Sequence, residues 1–439
     1  MAAFIGILGF GLSIFGFSLH HSILIGILAF LVTLWTNEGL PLGVVSLLPI
    51  LLFPALDILP TAQTTSNYAK PIIFLFLGGF LLAIATEKIR LHEYIATKIL
   101  TIFPSTPRGI IFSLASTSAI LSAMLSNTTT ALLLIPIASF LTTHTILKIR
   151  FILAIAYGAS IGGIITPIGT PPNMILLGFM QSKGMEMIGF IQWVALIAPL
   201  AIIMLVLSSF VLSFNLHHSG HIRELSDTKA INAPQKRLLT ILGALILLLF
   251  INSPIEPYYS GMGLNESGIL LGFGLLMFVP KIGFLEWSDT KKVPYEIMFL
   301  FGAGFSIAQA FSHTGLAADV AQKLTLIADF SPWLLILCVA ALITFTTEIT
   351  SNTALISIAL PIIFALGEMT AVRIELLMLA ATICASYAFM LPIATPPNAI
   401  AMSTGVVKIS TMARFGIVLN LLGIGLITVT ALGYWQYFL

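Results

Sequence analysis

Ser126-Asn127-Thr128 and Ser351-Asn352-Thr353 are identical tripeptides 225 residues apart. Each is followed 44 residues later by the same tetrapeptide, Thr170-Pro171-Pro172-Asn173 and Thr395-Pro396-Pro397-Asn398. All four motifs interrupt apolar stretches. A hydroxyl donates and accepts through one oxygen, and asparagine donates through its amide nitrogen and accepts through its carbonyl. The tripeptides can therefore serve an anion and a hard cation side by side. A Pro-Pro pair removes two backbone donors and blocks a continuous helix, so the carbonyls it frees are candidate ligands for Na+. Gly169 and Ala394 stand immediately before these breaks and let the backbone approach closely. One such motif alone reads as an ordinary helix kink, whereas four in two matched pairs point to a binding function.

The elements that position these motifs are dictated by the solvent. Of 439 residues, 58% are hydrophobic and 8% charged, and the mean hydropathy is +1.07, against about 25% charged in a soluble domain. Apolar runs of about 15 to 25 residues match a hydrocarbon core of roughly 30 Å at 1.5 Å per residue, and a barrel would show alternating segments of about ten residues instead. The chain is thus expected to be an all-α polytopic protein of the lipid bilayer. Its net charge of +2 carries no basic block suited to nucleic acid, so no nucleic-acid partner is expected. Cys338 and Cys384 fall in apolar segments without metal or redox spacing and read as buried small hydrophobes.

About eleven transmembrane helices are expected, near 3–19, 22–36, 39–56, 70–86, 151–180, 188–213, 238–253, 266–282, 295–311, 376–404 and 415–437. The first lacks a basic leader region and a clear cleavage site, and reads as a retained span. Two further stretches, 109–147 and 332–366, are too long for one span and carry a Ser-Asn-Thr at the middle. They read as re-entrant helical hairpins, since polar non-helical backbone is tolerated at membrane depth only against protein or a watery cavity. Glu87 to Phe103, Ser312 to Phe330 and Gly405 to Arg414 mix charge and apolar residues at helical spacing, as interfacial connecting helices do. With a cytoplasmic N-terminus, fifteen of the nineteen Lys and Arg fall inside, leaving Lys70, Lys183, Lys323 and Arg373 outside. The C-terminus is then outside.

The offset of 225 residues recurs beyond the motifs. Phe74-Leu75-Phe76 matches Phe299-Leu300-Phe301, Gly79-Phe80 matches Gly304-Phe305, Leu91 matches Leu316, Pro136 matches Pro361 and Pro167 matches Pro392. So many coincidences in one register mark a duplicated unit. The expected organisation is an N-terminal span over 1–21, repeat 1 over 22–214 with hairpin 109–147 and broken helix 151–180, a cytoplasmic linker over 215–237, and repeat 2 over 238–439 with hairpin 332–366 and broken helix 376–404. Five spans per copy make the repeats inverted, the construction of many secondary transporters, whose binding site lies at the pseudo-two-fold axis near the midplane.

Little fixed charge is expected at that midplane. Glu348 is the exception, with Ala123 at the corresponding position of repeat 1. It is either a proton or cation site, or a structural acid bonded to neighbouring backbone or to a water-lined surface. Without a buried arginine, a dianion must be neutralised by backbone dipoles and co-bound cations, which is a physical reason to expect ion coupling. No paired-Asp, Ser-His or HExxH constellation supports an intramembrane hydrolase, so an enzyme is not expected. The eight histidines fall at span ends or in loops and interfacial segments. The duplicated broken helices argue against a channel.

The paired Ser-Asn-Thr tips, each followed by Thr-Pro-Pro-Asn, resemble the divalent anion/sodium symporter family of dicarboxylate and citrate carriers, and the resemblance covers most of the chain. It implies secondary active transport of di- or tricarboxylate anions coupled to Na+, in a homodimer of the plasma (inner) membrane whose scaffold carries a mobile transport domain in an elevator motion. It implies one Na+ site at Ser122, Ser126, Asn127 and the Gly169 backbone, and a second at Thr347, Ser351, Asn352 and the Ala394 backbone. Ser126, Asn127, Thr128, Ser351, Asn352 and Thr353 would hold the substrate carboxylates. The family also includes Na+-independent exchangers, and a sulfate or other inorganic-anion carrier shares the fold.

Overall fold

A peptide group inside hydrocarbon has no water to bond, so a chain this apolar satisfies its backbone within helices. The computed structural model describes residues 1–37, 40–100, 102–216, 230–253, 259–323 and 330–439, and its regular elements are α-helices and short 3-10 turns, with no extended strand among the described residues. The all-helical expectation holds.

The first half runs through α1 (Ala2–Ser13), α2 (Leu19–Asn37), α3 (Leu42–Ala55), α4 (Thr61–Ser66), α5 (Pro71–Lys88), α6 (Leu91–Leu100), α7 (Pro107–Ser122), α8 (Asn127–Leu141), α9 (Thr145–Gly163), α10 (Pro171–Ser182) and α11 (Phe190–Ser213). The second runs through α12 (Ala233–Asn252), α13 (Glu266–Leu276), α14 (Tyr295–Thr314), α15 (Leu316–Lys323), α16 (Pro332–Thr347), α17 (Asn352–Glu368), α18 (Ile374–Ser386), α19 (Pro396–Ser403) and α20 (Ile409–Gly433). By length and composition, five segments are long and apolar enough to cross a membrane: Thr61–Lys88, Thr145–Gly163, Phe190–Ser213, Ala233–Asn252 and Ile409–Tyr437. Shorter apolar helices make up most of the remainder.

The arms α7 and α8 meet at Ala123–Ser126, and α16 and α17 meet at Glu348–Ser351. At 15 to 17 residues each, these arms are roughly 22 to 26 Å long, short of a hydrocarbon core of about 30 Å. The stretches around Thr-Pro-Pro-Asn are interrupted as well. α9 stops at Gly163 and α10 starts at Pro171, while α18 stops at Ser386 and α19 starts at Pro396.

Packing around the first break is close because α9 carries Gly158 and Gly162 on the face that meets α7. A Cβ at Gly162 would lie 2.2 Å from the carbonyl oxygen of Ala119, and one at Gly158 would lie 2.6 Å from that of Ala115. Small residues four apart let helix backbones touch in a membrane protein. The buried side chains form two clusters: a large one around the hairpin arms, the broken helices and α11, and a smaller one centred on α1, α2, α3 and α14.

Three outcomes qualify the connecting segments. The segment Gly405 to Arg414 is not a separate helix: after a turn at Gly405 (φ +69°), Lys408 caps α20, so residues 409–414 are the start of that long helix. α6 and α15 are helices within the other two connecting segments, with residues 101 and 324–329 lying outside the described residues. Most of the linker expected over 215–237, with His217, His218, His221, Arg223 and Lys229, also lies outside them. Among the remaining histidines, His21 pairs with Asp319 at 2.8 Å and His92 meets the Thr86 carbonyl at 3.2 Å. Cys338 and Cys384 are free thiols, half-buried and buried respectively.

Candidate functional site

Four helices begin at one place. α8 starts after Ser126, α17 after Ser351, α10 after Thr170 and α19 after Thr395. Between these starts lies a cavity of about 250 Å³ lined by residues 126–128, 169–172, 351–353 and 394–396, with Leu42, Gly79, Phe80, Met124, Ile168, Met174, Ile297 and Leu300 among the apolar contributors. None of its lining side chains is charged. At roughly half an elementary charge per helix N-terminus, α8 and α17, the two starts without a Pro-Pro pair, present about +1 in total. The volume equals about eight waters at roughly 30 Å³ each, the scale of a small dicarboxylate.

The two kinds of helix start contribute differently. In α8 the N–H groups of Asn127 and Thr128, and in α17 those of the first turn, can donate along the helix axis, whereas Pro171-Pro172 and Pro396-Pro397 have no N–H to offer. Hairpin arms supply donors suited to an anion. The breaks supply carbonyls suited to a cation.

Inside each hairpin tip, two oxygens are held together. Ser122 Oγ donates to Asn127 Oδ1 at 2.5 Å, and Thr347 Oγ1 lies 2.6 Å from Asn352 Oδ1 and 2.9 Å from the Ala385 carbonyl. A threonine hydroxyl has one proton to share between those two acceptors, so the second cluster is oxygen-rich in the manner a small cation neutralises. Ser122 and Thr347 are fully buried and do not line the cavity. Asn127 links its tip to the break: a Cβ at Gly163 would lie 2.6 Å from Asn127 Oδ1, and one at Gly169 would lie 2.3 Å from the Gly163 carbonyl oxygen. Ser122, Asn127 and Gly169 are thus brought together through Gly163.

The last residue of each tetrapeptide has a role that sequence reading did not specify. Asn173 Nδ2 donates to the carbonyls of Gly163 (3.3 Å) and Thr166 (2.9 Å), and Asn398 Nδ2 to those of Ala388 (3.0 Å) and Leu391 (3.1 Å). These acceptors correspond at the 225-residue offset. Both asparagines are fully buried and outside the cavity lining, and neither Oδ1 has a hydrogen-bond partner. They tie the breaks in shape. Pro397 is likewise outside the lining.

The repeats then diverge. Ser126 Oγ accepts from Thr129 N–H at 3.1 Å and caps α8, whereas Ser351 makes no such cap bond. The first break spans seven residues (164–170) and is clenched by Gly163 against Gly169; the second spans nine (387–395), with alanines at those positions. Glu348 fills the difference. Its carboxylate accepts from the N–H groups of Phe389 (2.8 Å), Met390 (2.9 Å) and Leu391 (2.9 Å) and from Asn420 Nδ2 (2.7 Å). That geometry is the backbone-bonded acid of the two readings open in the sequence. At the corresponding corner of repeat 1, Thr166 Oγ1 donates to the Ala123 carbonyl at 2.5 Å.

A citrate transporter family model matches residues 28–384. The sodium-dependent dicarboxylate transporter SdcS of Staphylococcus saprophyticus is 32% identical over 432 residues, covering 91% of this chain and 83% of the relative. This chain belongs to the divalent anion/sodium symporter family. It is accordingly an integral, multi-pass membrane transporter and not an enzyme. SdcS of Staphylococcus aureus (strain USA300) is similar at 31% over the same coverage. Among solved structures, the MtrF protein of Neisseria gonorrhoeae aligns over 93% of this chain and 94% of its own with a TM-score of 0.59 at 13% identity. The YdaH transporter of Alcanivorax borkumensis aligns over 84% and 86% with a TM-score of 0.55 at 16% identity. Both show a likeness of fold.

Apolar lining residues such as Gly79, Phe80 and Ile297 were not singled out as site residues from the sequence. Gly79-Phe80 is part of the internal match, but only this first copy lines the cavity.

Proposed function

We propose that the protein is a secondary active transporter of di- or tricarboxylate anions, driven by Na+ symport through an elevator-type exchange of access. The observation that carries this reading is the cavity of uncharged residues at four helix starts, flanked by two related oxygen pairs, Ser122–Asn127 and Thr347–Asn352. A dianion there meets about +1 of dipole charge from the starts of α8 and α17 and no basic side chain, and hard cations co-bound at the oxygen pairs supply the rest. That dependence of anion on cation is the physical basis of coupling. The names of the relatives, sodium-dependent dicarboxylate transporters, agree with it.

In this reading, one Na+ is held by Ser122, Ser126, Asn127 and the Gly169 carbonyl, and the other by Thr347, Ser351, Asn352 and the Ala394 carbonyl. Carboxylate oxygens accept from Ser126, Asn127, Thr128, Ser351, Asn352 and Thr353. With the N-terminus cytoplasmic and the C-terminus outside, the neighbouring cavity of about 810 Å³ reaching Trp35, Pro41 and Glu296 lies on the cytoplasmic side, which makes this conformer inward-facing. The hairpins, the broken helices, α11 and α20 form the moving domain, and the remaining helices form the scaffold of a homodimer.

Uptake of labelled succinate into proteoliposomes tests the reading, with an inward Na+ gradient, with K+ in place of Na+, and with succinate preloaded inside. Uptake that needs the Na+ gradient is expected. Uptake that needs only internal succinate makes the protein an exchanger, and silence with succinate, citrate, tartrate and sulfate overturns the proposal.

A further inference from the structure

A second cavity, of about 910 Å³, opens between α9, α11 and α20, well separated in lining residues from the four helix starts. Two guanidinium groups line it, those of Arg150 and Arg414. Arg150 Nη1 donates to the carbonyls of Leu212 (2.5 Å) and Phe214 (3.3 Å), and its guanidinium lies 4.5 Å from the Phe415 ring centroid. Arg414 is exposed. Neither arginine has a carboxylate within ion-pair distance among the described residues. Asn215, Ser410 and Thr411 add uncharged polar groups, and the rest of the lining is apolar, with Phe210 61%, Phe214 78% and Val418 41% exposed.

The position of the two charges restricts what can neutralise them. Arg150 and Arg414 each lie five residues beyond the first residue of their helices, Thr145 and Ile409, about 7 to 8 Å along the axis. A bilayer has a headgroup zone of roughly 5 to 8 Å on each side of its hydrocarbon core. The helix starts of α9 and α20 add positive dipole ends on the same side. Neither arginine is duplicated, since the 225-residue partners are Glu375 and Gly189, so the pair does not belong to the two-fold construction of the transport cavity.

We propose that this cavity binds one anionic phospholipid, its phosphate bridging Arg150 and Arg414 and its acyl chains lying along Phe210, Phe214 and Val418. A guanidinium offers planar paired donors that match a phosphate, and basic pockets between transmembrane helices on the cytoplasmic side recruit anionic headgroups. The site is independent of the proposed transport reaction, and its test reads binding alone.

Native mass spectrometry of the purified protein with added dioleoyl phosphatidylglycerol is the direct test, with dioleoyl phosphatidylcholine and glycerol 3-phosphate as controls. One phosphatidylglycerol per chain should be retained in preference to phosphatidylcholine, and Arg414→Gln should weaken its retention by about five- to tenfold. Arg414 is exposed and unbonded, so this variant keeps the bonds that Arg150 makes to α11. Lys408→Gln removes a neighbouring exposed charge outside the cavity and should leave retention within about twofold of the parent. Equal retention of phosphatidylcholine, unchanged retention in Arg414→Gln, an equal loss in Lys408→Gln, or binding of glycerol 3-phosphate as tight as that of the lipid would each overturn the proposal.

Discussion

Gly169→Ala examines the link between the first break and the proposed cation site beside it. The added Cβ would lie 2.3 Å from the Gly163 carbonyl oxygen, where ordinary contact begins at 3.4 Å, so the break must open by about 1 Å. The obstacle is backbone, which cannot swing aside. Gly163 also abuts Asn127, whose Oδ1 would lie 2.6 Å from a Cβ at Gly163, so the displacement is passed to the Ser122–Asn127 pair. Overpacking of this kind costs about 1 to 3 kcal/mol, which corresponds to roughly a 5- to 150-fold loss in cation affinity if it is expressed at the site. The assay is the Na+ activation curve of succinate uptake in proteoliposomes, with monodispersity and melting temperature recorded beside it. Ala394→Gly, at the matching position of the wider break, should shift the curve by only a few-fold. A well-folded Gly169→Ala protein with the parent's Na+ curve refutes the reasoning.

Three further outcomes follow from the same geometry. Glu348→Ala leaves three backbone N–H groups and the Asn420 amide without their acceptor; the expected cost is about 3 kcal/mol or more, read as a lower melting temperature, with Glu348→Gln less affected. Ser126→Ala removes a helix cap and should lose about 0.5 to 2 kcal/mol of stability as well as transport, whereas Ser351→Ala, with no cap bond to lose, should lower transport at nearly parental melting temperature. Asp289, in the turn over 287–292, is held below the usual carboxylate range by the Glu286 N–H and by Lys88 at 2.7 Å. Its folded-state value is depressed, so its contribution is present above the unfolded value and lost as pH falls through the folded one; because it lies near the surface, Asp289→Asn should cost no more than about 1 kcal/mol at neutral pH, measured by melting.

The helical character of the chain was legible because lipid imposes it, and the helix breaks at Pro171-Pro172 and Pro396-Pro397 were legible because proline carries its own steric rule. The convergence of residues 126–128 with 351–353 was foreshadowed by the internal match, since repeats related by a two-fold axis bring like motifs together. What each asparagine bonds was not legible. Asn127 and Asn173 are the same residue type, yet one is paired with a buried serine and the other ties two carbonyls of the break. Glu348 meets partners 41 to 72 residues away, a distance at which local pattern is silent. The start of α20 was misplaced because Ser410, Thr411 and Arg414 interrupt the apolar pattern of residues 409–414, whereas Lys408 and the preceding glycine turn decide where the helix begins.

In the proposed site, Asn127 and Asn352 link the carboxylate in the cavity to the cations beside it. Equilibrium binding of labelled succinate to the purified protein, titrated with Na+ and with K+ at constant ionic strength, tests it most directly, in the parent and in Asn127→Ala and Asn352→Ala. Succinate is expected to bind tightly only as Na+ rises, and each substitution is expected to weaken binding while the protein remains monodisperse. Equal binding in K+ and Na+, or parental binding by both variants, would contradict it.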